Sequence, residues 1–203
     1  STHAGVTNLT SNDGEDTINV QSIAGATTVD AGADADTINV GSLSPAVGGN
    51  VNAISALLTI NGDGAVDTLN VDDTGDLVGN TGDLTSTMLT GLGMSDGIIY
   101  GSLETVNVDL GSGSDTFTIE STHTGVTNFT SNGGADTINI QSIAGATTVN
   151  AGDDADTITV GSLSPVTGGN VNAISAALTV SGDGGIDTLN VDDTGDLADN
   201  PGS

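Results

Sequence analysis

Carboxylates are the side chains of this sequence whose number and spacing could do chemistry. Seven times the chain writes an Asp-Thr step, an apolar residue, a spacer and a second apolar residue, as in Asp16-Thr17-Ile18-Asn19-Val20. The other copies begin at Asp36, Asp67, Asp115, Asp136, Asp156 and Asp187, and a turn rich in Gly and Asp precedes nearly every one. Acidic residues number 27 and Lys and Arg are absent, so the formal net charge is −27. Two carboxylates about 4.8 Å apart, the spacing of stacked strands, repel by roughly 3–4 kcal/mol at an effective dielectric of 20 and about 1 kcal/mol in water. With no basic residue to offset this, full solvation, shared protons or bound cations are the remaining remedies. Turns rich in oxygen and poor in nitrogen and sulfur suit Ca²⁺, which takes six to eight oxygen ligands. His3 and His123 are the only histidines and lie 120 residues apart, so zinc and iron have almost nothing to hold them.

The same composition excludes several partners. A chain without Lys or Arg cannot neutralise phosphates, which rules out nucleic acid and anionic membrane surfaces. No apolar run approaches the roughly 20 residues of a membrane-spanning helix, so no membrane insertion is expected. There is no cysteine, hence no disulfide or thiolate chemistry. Acidity can signal disorder, but here the aspartates sit in turns and strands of Val, Ile, Leu and Thr run between them. The poverty in aromatic residues suits a narrow interior of stacked aliphatic side chains, and the 31 glycines suit tight turns.

The elements that must position these carboxylates emerge from two periods. Apolar residues two apart, entered through a turn, describe a half-buried strand, and a recurring turn-plus-strand unit describes a solenoid. The Asp-Thr steps recur at a basic interval of about 20 residues, lengthened by excursions at 42–55 and 74–97. Pro45 and Gly48-Gly49-Asn50 mark the first excursion as loop; the second is open between loop and irregular coil. Over this lies a 120-residue repeat: residues 1–80 and 121–200 align without a gap, with 63 of 80 positions identical. Residues 1–120 therefore form one full long repeat and 121–203 a second, incomplete one, within one continuous solenoid.

The expected fold is all-β, a parallel solenoid or β-roll-like rod. Ile18, Val20, Ile38, Val40, Leu69, Val71, Phe117, Ile119, Ile138, Ile140, Ile158, Val160, Leu189 and Val191 should face inward. Thr17, Asn19, Thr37, Asn39, Thr68, Asn70, Thr116, Thr118 and their second-period equivalents should face outward. Seven steps at roughly 4.8 Å give a rod on the order of 30–35 Å long. Incomplete repeats and the lack of capping segments lead to the expectation of continuation at both ends, covalently or by stacking of identical subunits, with lateral self-association a further possibility.

Leu110-Gly111-Ser112-Gly113-Ser114-Asp115-Thr116-Phe117-Thr118 resembles the calcium-binding nonapeptide of repeats-in-toxin (hemolysin-type) proteins, Gly-Gly-x-Gly-x-Asp-x-U-x with U apolar, at every defined position except the first. Ser131-Asn132-Gly133-Gly134-Ala135-Asp136-Thr137-Ile138 keeps the fourth-position Gly, the Asp and the apolar residue, while Ala31-Gly32-Ala33-Asp34-Ala35-Asp36 and Gly62-Asp63-Gly64-Ala65-Val66-Asp67 depart further. The resemblance covers one flank of each coil and implies a right-handed parallel β-roll with ions in its turns. It makes the sixth-position aspartates Asp16, Asp36, Asp67, Asp115, Asp136, Asp156 and Asp187 the first candidate ligands, with Asp34, Asp63, Asp154 and Asp183 secondary. The alternative is that each Asp closes its own turn by accepting nearby backbone N–H groups. Asp72-Asp73-Thr74-Gly75-Asp76, repeated at Asp192-Asp193-Thr194-Gly195-Asp196, is a separate candidate or a solvated loop. Together with Gly97-Ile98-Ile99-Tyr100-Gly101-Ser102-Leu103-Glu104-Thr105-Val106, that cluster is similar to repeat regions of giant secreted bacterial surface proteins.

The expected function is structural: a segment of an extracellular fibre, adhesin stalk, sheath or surface layer, stabilised by Ca²⁺. A self-stacking filament subunit without metal is one alternative. A ligand- or ice-binding surface built on the Thr and Asn ladders is another. An enzyme is disfavoured, because carboxylates could drive glycoside hydrolysis but no Lys or Arg is present to hold an acidic polysaccharide or stabilise developing negative charge.

Overall fold

A computed structural model describes residues 3–197. The first long repeat opens with β1 (Thr7–Thr10), β2 (Thr17–Val20), β3 (Thr27–Asp30), β4 (Thr37–Val40), β5 (Leu58–Asn61) and β6 (Thr68–Asp72). The second excursion and the rest of that repeat give β7 (Thr81–Leu84), β8 (Met88–Gly91), β9 (Ile98–Gly101), β10 (Thr105–Asp109) and β11 (Thr116–Ile119). The second long repeat gives β12 (Val126–Thr130), β13 (Thr137–Ile140), β14 (Thr147–Asn150), β15 (Thr157–Val160), β16 (Leu178–Ser181) and β17 (Thr188–Val191). The described residues hold no helix.

These strands stack into two sheets. One has ten strands in the order β1-β3-β5-β9-β8-β7-β11-β13-β15-β17, the other seven in the order β16-β14-β12-β10-β6-β4-β2. Most neighbours are parallel and in register with the repeat, so that Thr17 meets Thr37, Ile18 meets Ile38 and Val20 meets Val40. Such registry puts like side chains above one another, and the interior is a single, mainly aliphatic cluster between the sheets that also takes in Tyr100, Phe117 and Phe129. Ile38, Val40, Ile60, Leu69, Ile138 and Ile140 have no measurable exposure. The result is a largely parallel, two-sheet β-solenoid-like stack.

Several expectations need correction. The structure is not wholly parallel: 74–97 supplies β7 and β8, and β8 runs antiparallel to both β7 and β9. Its Leu84, Leu89 and Leu92 are buried, which is why the segment joins the sheet instead of looping into water. The first excursion is loop as expected, made of turns and bends with no strand, and it is anchored by the fully buried Val51 and Ile54, the latter bridging to Ile23. Leu189 and Val191, expected inside, are 54% and 62% exposed, because among the described residues β17 is the last strand of its sheet and none lies over it. Asn139, expected outside, is buried. Finally, ten strands span nine spacings, about 43 Å at ~4.8 Å each, longer than a count of Asp-Thr steps suggests.

The long repeat has an unexpected relation to the sheets. β2, β4 and β6 lie in the seven-stranded sheet, whereas their equivalents 120 residues later, β13, β15 and β17, lie in the ten-stranded sheet. β1, β3 and β5 exchange in the opposite sense with β12, β14 and β16. One long repeat thus adds an extra half coil, and equivalent residues in consecutive repeats occupy opposite sides of the stack.

Candidate functional site

The sixth-position aspartates form hydrogen-bonded ladders. Asp16 donates its backbone N–H to Asp36 Oδ1 at 2.7 Å, Asp36 N to Asp67 Oδ1 at 2.8 Å, and Asp67 N to Glu104 Oε2 at 2.8 Å. A second run begins with Asn80 N to Asp115 Oδ1 at 2.6 Å and continues through Asp115 N to Asp136 Oδ1 at 2.7 Å and Asp136 N to Asp156 Oδ1 at 2.8 Å. Asp156 N to Asp187 Oδ1 at 3.1 Å completes it. Each Asp sits at the corner where a turn enters a strand. There its carboxylate takes up a backbone donor of the preceding coil, extending the sheet's bonding around the bend. The bond runs between coils and does not close the residue's own turn. Glu104 and Asn80 belong to the ladders but escape a search for Asp-Thr. Glu104-Thr105-Val106-Asn107-Val108 shows the same pattern with Glu for Asp, and Asn80-Thr81 opens β7 with Asn for Asp.

One oxygen of each rung is used and the other is stranded. Asp36, Asp67, Asp115, Asp136 and Asp156 are buried, and the Oδ2 of every one lacks a hydrogen-bond partner. Burial raises the Asp136 carboxyl to about 6, against the opposing Asp115 N–H bond and the influence of the nearby Ser131 hydroxyl, and the charges of Asp115 and Asp156 push it further. Asp67, Asp115 and Asp156 are raised for the same leading reason.

The two runs stand on opposite flanks. Asp16, Asp36, Asp67 and Glu104 lie where the chain crosses from the ten-stranded to the seven-stranded sheet, and Asn80, Asp115, Asp136, Asp156 and Asp187 where it crosses back. The secondary candidates do not join either column through these bonds. Asp34 and Asp154 accept the N–H of Gly14 and Gly134 one coil below, at 2.9 and 3.3 Å. Asp63 lies beside Asp30, whose carboxyl is raised by the hydrogen bond between them. Asp183 accepts the Ser181 hydroxyl. Asp63, Asp154 and Asp183 have positive φ, a conformation Asp tolerates in turns.

The Asp72–Asp76 cluster is a clamp for the first excursion. Asp72 Oδ2 accepts Gly49 N at 2.8 Å, Asp73 Oδ1 accepts Val51 N at 3.0 Å, and Asp76 Oδ2 accepts Asn52 Nδ2 at 3.0 Å. The second repeat reproduces the clamp, with Asp192, Asp193 and Asp196 on Gly169, Val171 and Asn172. Asp73 is buried, and desolvation first, with the charges of Asp76, Asp115 and Asp72 behind it, raises its carboxyl to about 7 despite the Val51 bond.

On the outer face of the seven-stranded sheet a third ladder appears. Asn39, Asn70, Asn107 and Asn128 each donate Nδ2 to the Oδ1 of the Asn below, ending on Asn19, at 2.7–2.9 Å. The amides therefore satisfy one another. The segments around Pro45 and Pro165 flank these outer faces, lining grooves with Asn39 and Asn70 in one repeat and Thr159 and Asn190 in the other.

Among the described residues no three His, Cys, Asp or Glu side chains gather around one point. The stranded oxygens are of the right kind for a hard cation, but each corner offers carboxylates only from successive coils. The remaining ligands of a Ca²⁺ there would be backbone carbonyls or water, both of which that ion accepts. Compared with known proteins, the chain matches no family model, no curated protein and no solved structure.

Proposed function

We propose that this chain is a structural segment of an extracellular fibre, adhesin stalk, sheath or surface layer, coiled right-handedly as parallel crossovers almost always are. One observation carries the reading: the corner aspartates Asp16, Asp36 and Asp67 and the clamp at Asp72, Asp73 and Asp76 recur 120 residues later as Asp136, Asp156 and Asp187 and as Asp192, Asp193 and Asp196, in the same bonding roles. An architecture whose parts recur serves length, whereas a catalytic centre need occur only once. Immunogold electron microscopy of producing cells with antibodies to this chain should label filaments or a coat outside the cell. Label confined to the cell interior would overturn the proposal.

Ca²⁺ is the proposed stabiliser, held by the stranded Oδ2 atoms of Asp36, Asp67, Asp115, Asp136 and Asp156. Bound there it would supply positive charge to a chain that has no Lys or Arg. A ligand binding only the folded chain stabilises it by mass action, about 2.7 kcal/mol at 100 times its dissociation constant. Scanning calorimetry with calcium and with chelator should show a higher Tm with calcium; superimposable curves would remove the ion from the reading. The raised carboxyls of Asp136 in the ladder and Asp73 in the clamp favour a second, metal-free reading, in which buried carboxylates hold protons more tightly than free ones.

A further inference from the structure

Between the first-excursion loop and the outer face of the seven-stranded sheet lies a pocket that ladders and clamps do not account for. Its volume is about 230 Å³. Asn39 and Asn70 of the amide ladder line it from the sheet, Pro45 and Val47 from the loop, and Asp72 and Asp109 complete it. β6 and β10 pair in register with Asp109 beside Asp72, so the two carboxylates stand together at the ends of adjacent strands. Alternation along both strands puts them on the same outward side as Asn70 and Asn107.

The pocket is rich in acceptors. Each ladder carbonyl accepts one amide from the Asn above, as Asn39 does from Asn70 and Asn70 from Asn107, which leaves its second lone pair. Asp72 takes the Thr74 N–H and hydroxyl on Oδ1 and the Gly49 N–H on Oδ2, leaving one of a carboxylate's roughly four lone-pair sites. The Asp109 carboxylate takes no part in the clamp. Burial raises its carboxyl, the nearby Thr130 hydroxyl opposes this, and the charge of Asp72 adds to the rise. The chain has no Lys or Arg to answer this pair of charges.

The lining selects among occupants. An anion is repelled, and a neutral molecule leaves the paired carboxylates without a counter-charge. A Ca²⁺ ion needs six to eight oxygens and has no use for the Pro45 and Val47 wall. We propose that the pocket receives a primary alkylammonium group, as carried by a lysine side chain or a free polyamine. Its three N–H donors would be shared among Asp72, Asp109 and the ladder carbonyls, and its methylenes would lie along Pro45 and Val47, as lysine stems do on apolar surface. The second long repeat rebuilds the place with Thr159, Pro165, Thr167, Asn190 and Asp192, and Asp192 holds Gly169 as Asp72 holds Gly49. There the groove lies against the ten-stranded sheet, so the stack offers the ammonium group a seat on each face.

The test is a titration of the isotope-labelled chain, followed by NMR in mildly alkaline buffer with about 0.15 M NaCl, which screens diffuse attraction beyond roughly 8 Å. n-Pentylammonium should shift the Gly49 N–H and the Asn39 and Asn70 side-chain amides saturably. Methylammonium should bind more weakly for want of a stem, and n-pentanol should leave the signals in place. Asp109→Asn should lower the pentylammonium affinity on the order of tenfold, by removing a charge-assisted hydrogen bond. Glu15→Gln, which takes one charge from an exposed turn, should leave it unchanged. Two further probes separate the sources: binding of Nα-acetyl-lysine amide admits a protein side chain, while binding of spermidine alone restricts the pocket to free polyamines. Equal affinities of the wild type and Asp109→Asn, shifts spread evenly over every acidic turn, or Ca²⁺ saturating the same signals ahead of pentylammonium would each overturn the proposal.

Discussion

Asp136 makes opposite demands with its two oxygens: Oδ1 is needed by the Asp115 N–H, while Oδ2 is buried without a partner. Asp136→Ala should therefore cost about 1–3 kcal/mol in urea unfolding, by stranding a backbone donor. Asp136→Asn keeps an acceptor and removes the charge, so in chelator at neutral pH it should match or exceed the wild type. Equal losses in the two variants would discard the rung. Titration obeys the same logic. Burial raises Asp136 to about 6 and Asp73 to about 7, both from 3.8. A carboxyl raised in the folded state binds more protons there than in the unfolded chain. Its stabilisation is complete below about pH 4 and is lost as pH rises through 6 and 7. Without metal, the Tm should fall steadily between pH 4 and pH 7.5, and a Tm that climbs over that window would contradict the buried carboxyls. Gly152 is constrained differently: its φ is +90° and a Cβ would strike the Asn132 carbonyl one coil below. Gly152→Ala should cost roughly 2 kcal/mol or more.

At the scale of elements, the β7–β8 insert is the feature that decides the shape of the stack. Its first strand carries Gly82 directly against the Phe117 ring, where a Cβ would meet Phe117 and Leu92. Phe117 in turn packs on Phe129 with ring centroids 4.5 Å apart. This is where the largest side chains of the core sit, beside the smallest residue of β7. Phe117→Ala should cost about 3–5 kcal/mol by denaturant titration. Gly82→Val should destabilise comparably by overpacking, and Gly82→Val combined with Phe117→Leu should recover part of the loss. Absence of any such rescue would mean that the two residues do not share the space the structure gives them. The insert was legible only in part. Asn80-Thr81 and Glu104-Thr105 carry the corner pattern in altered letters, but nothing local in Met88–Gly91 shows that the strand would reverse.

The whole molecule is a stack of like charges, at −27 with no basic residue. Coulomb repulsion between its corners is screened by salt over about 8 Å at physiological ionic strength. Raising NaCl from 0.02 to 0.5 M, on the order of a fivefold shortening of that length, should raise the Tm of the metal-free chain at pH 7.5. Calcium should then raise it further than magnesium at equal ionic strength, because the irregular corners suit a larger, more flexible coordination shell. Identical effects of the two ions would reduce the role of calcium to screening. Small-angle scattering should give an elongated particle, in keeping with the roughly 43 Å run of the ten-stranded sheet.

The sequence by itself determined the recurrent Asp-Thr strands, their like-on-like stacking and most of the interior. Alternation along Thr37–Val40 or Thr137–Ile140 fixes which side chains turn inward, and repetition fixes their neighbours above and below. It also marked the corner aspartates as special, because charge without counter-charge must be managed somewhere. Three things were decided only in the tertiary structure. The carboxylates bond the neighbouring coil, a choice between donors that are close in space but 20 to 37 residues apart in the chain. Leu189 and Val191 are exposed, because burial of a strand depends on what covers it and not on its own pattern. Equivalent strands of the two long repeats fall in opposite sheets, because one long repeat visits the sheets nine times, an odd number, with β7, β8 and β9 counting as a single visit. Periodicity is a local quantity, whereas which side of the stack a residue occupies is a running sum over every strand before it.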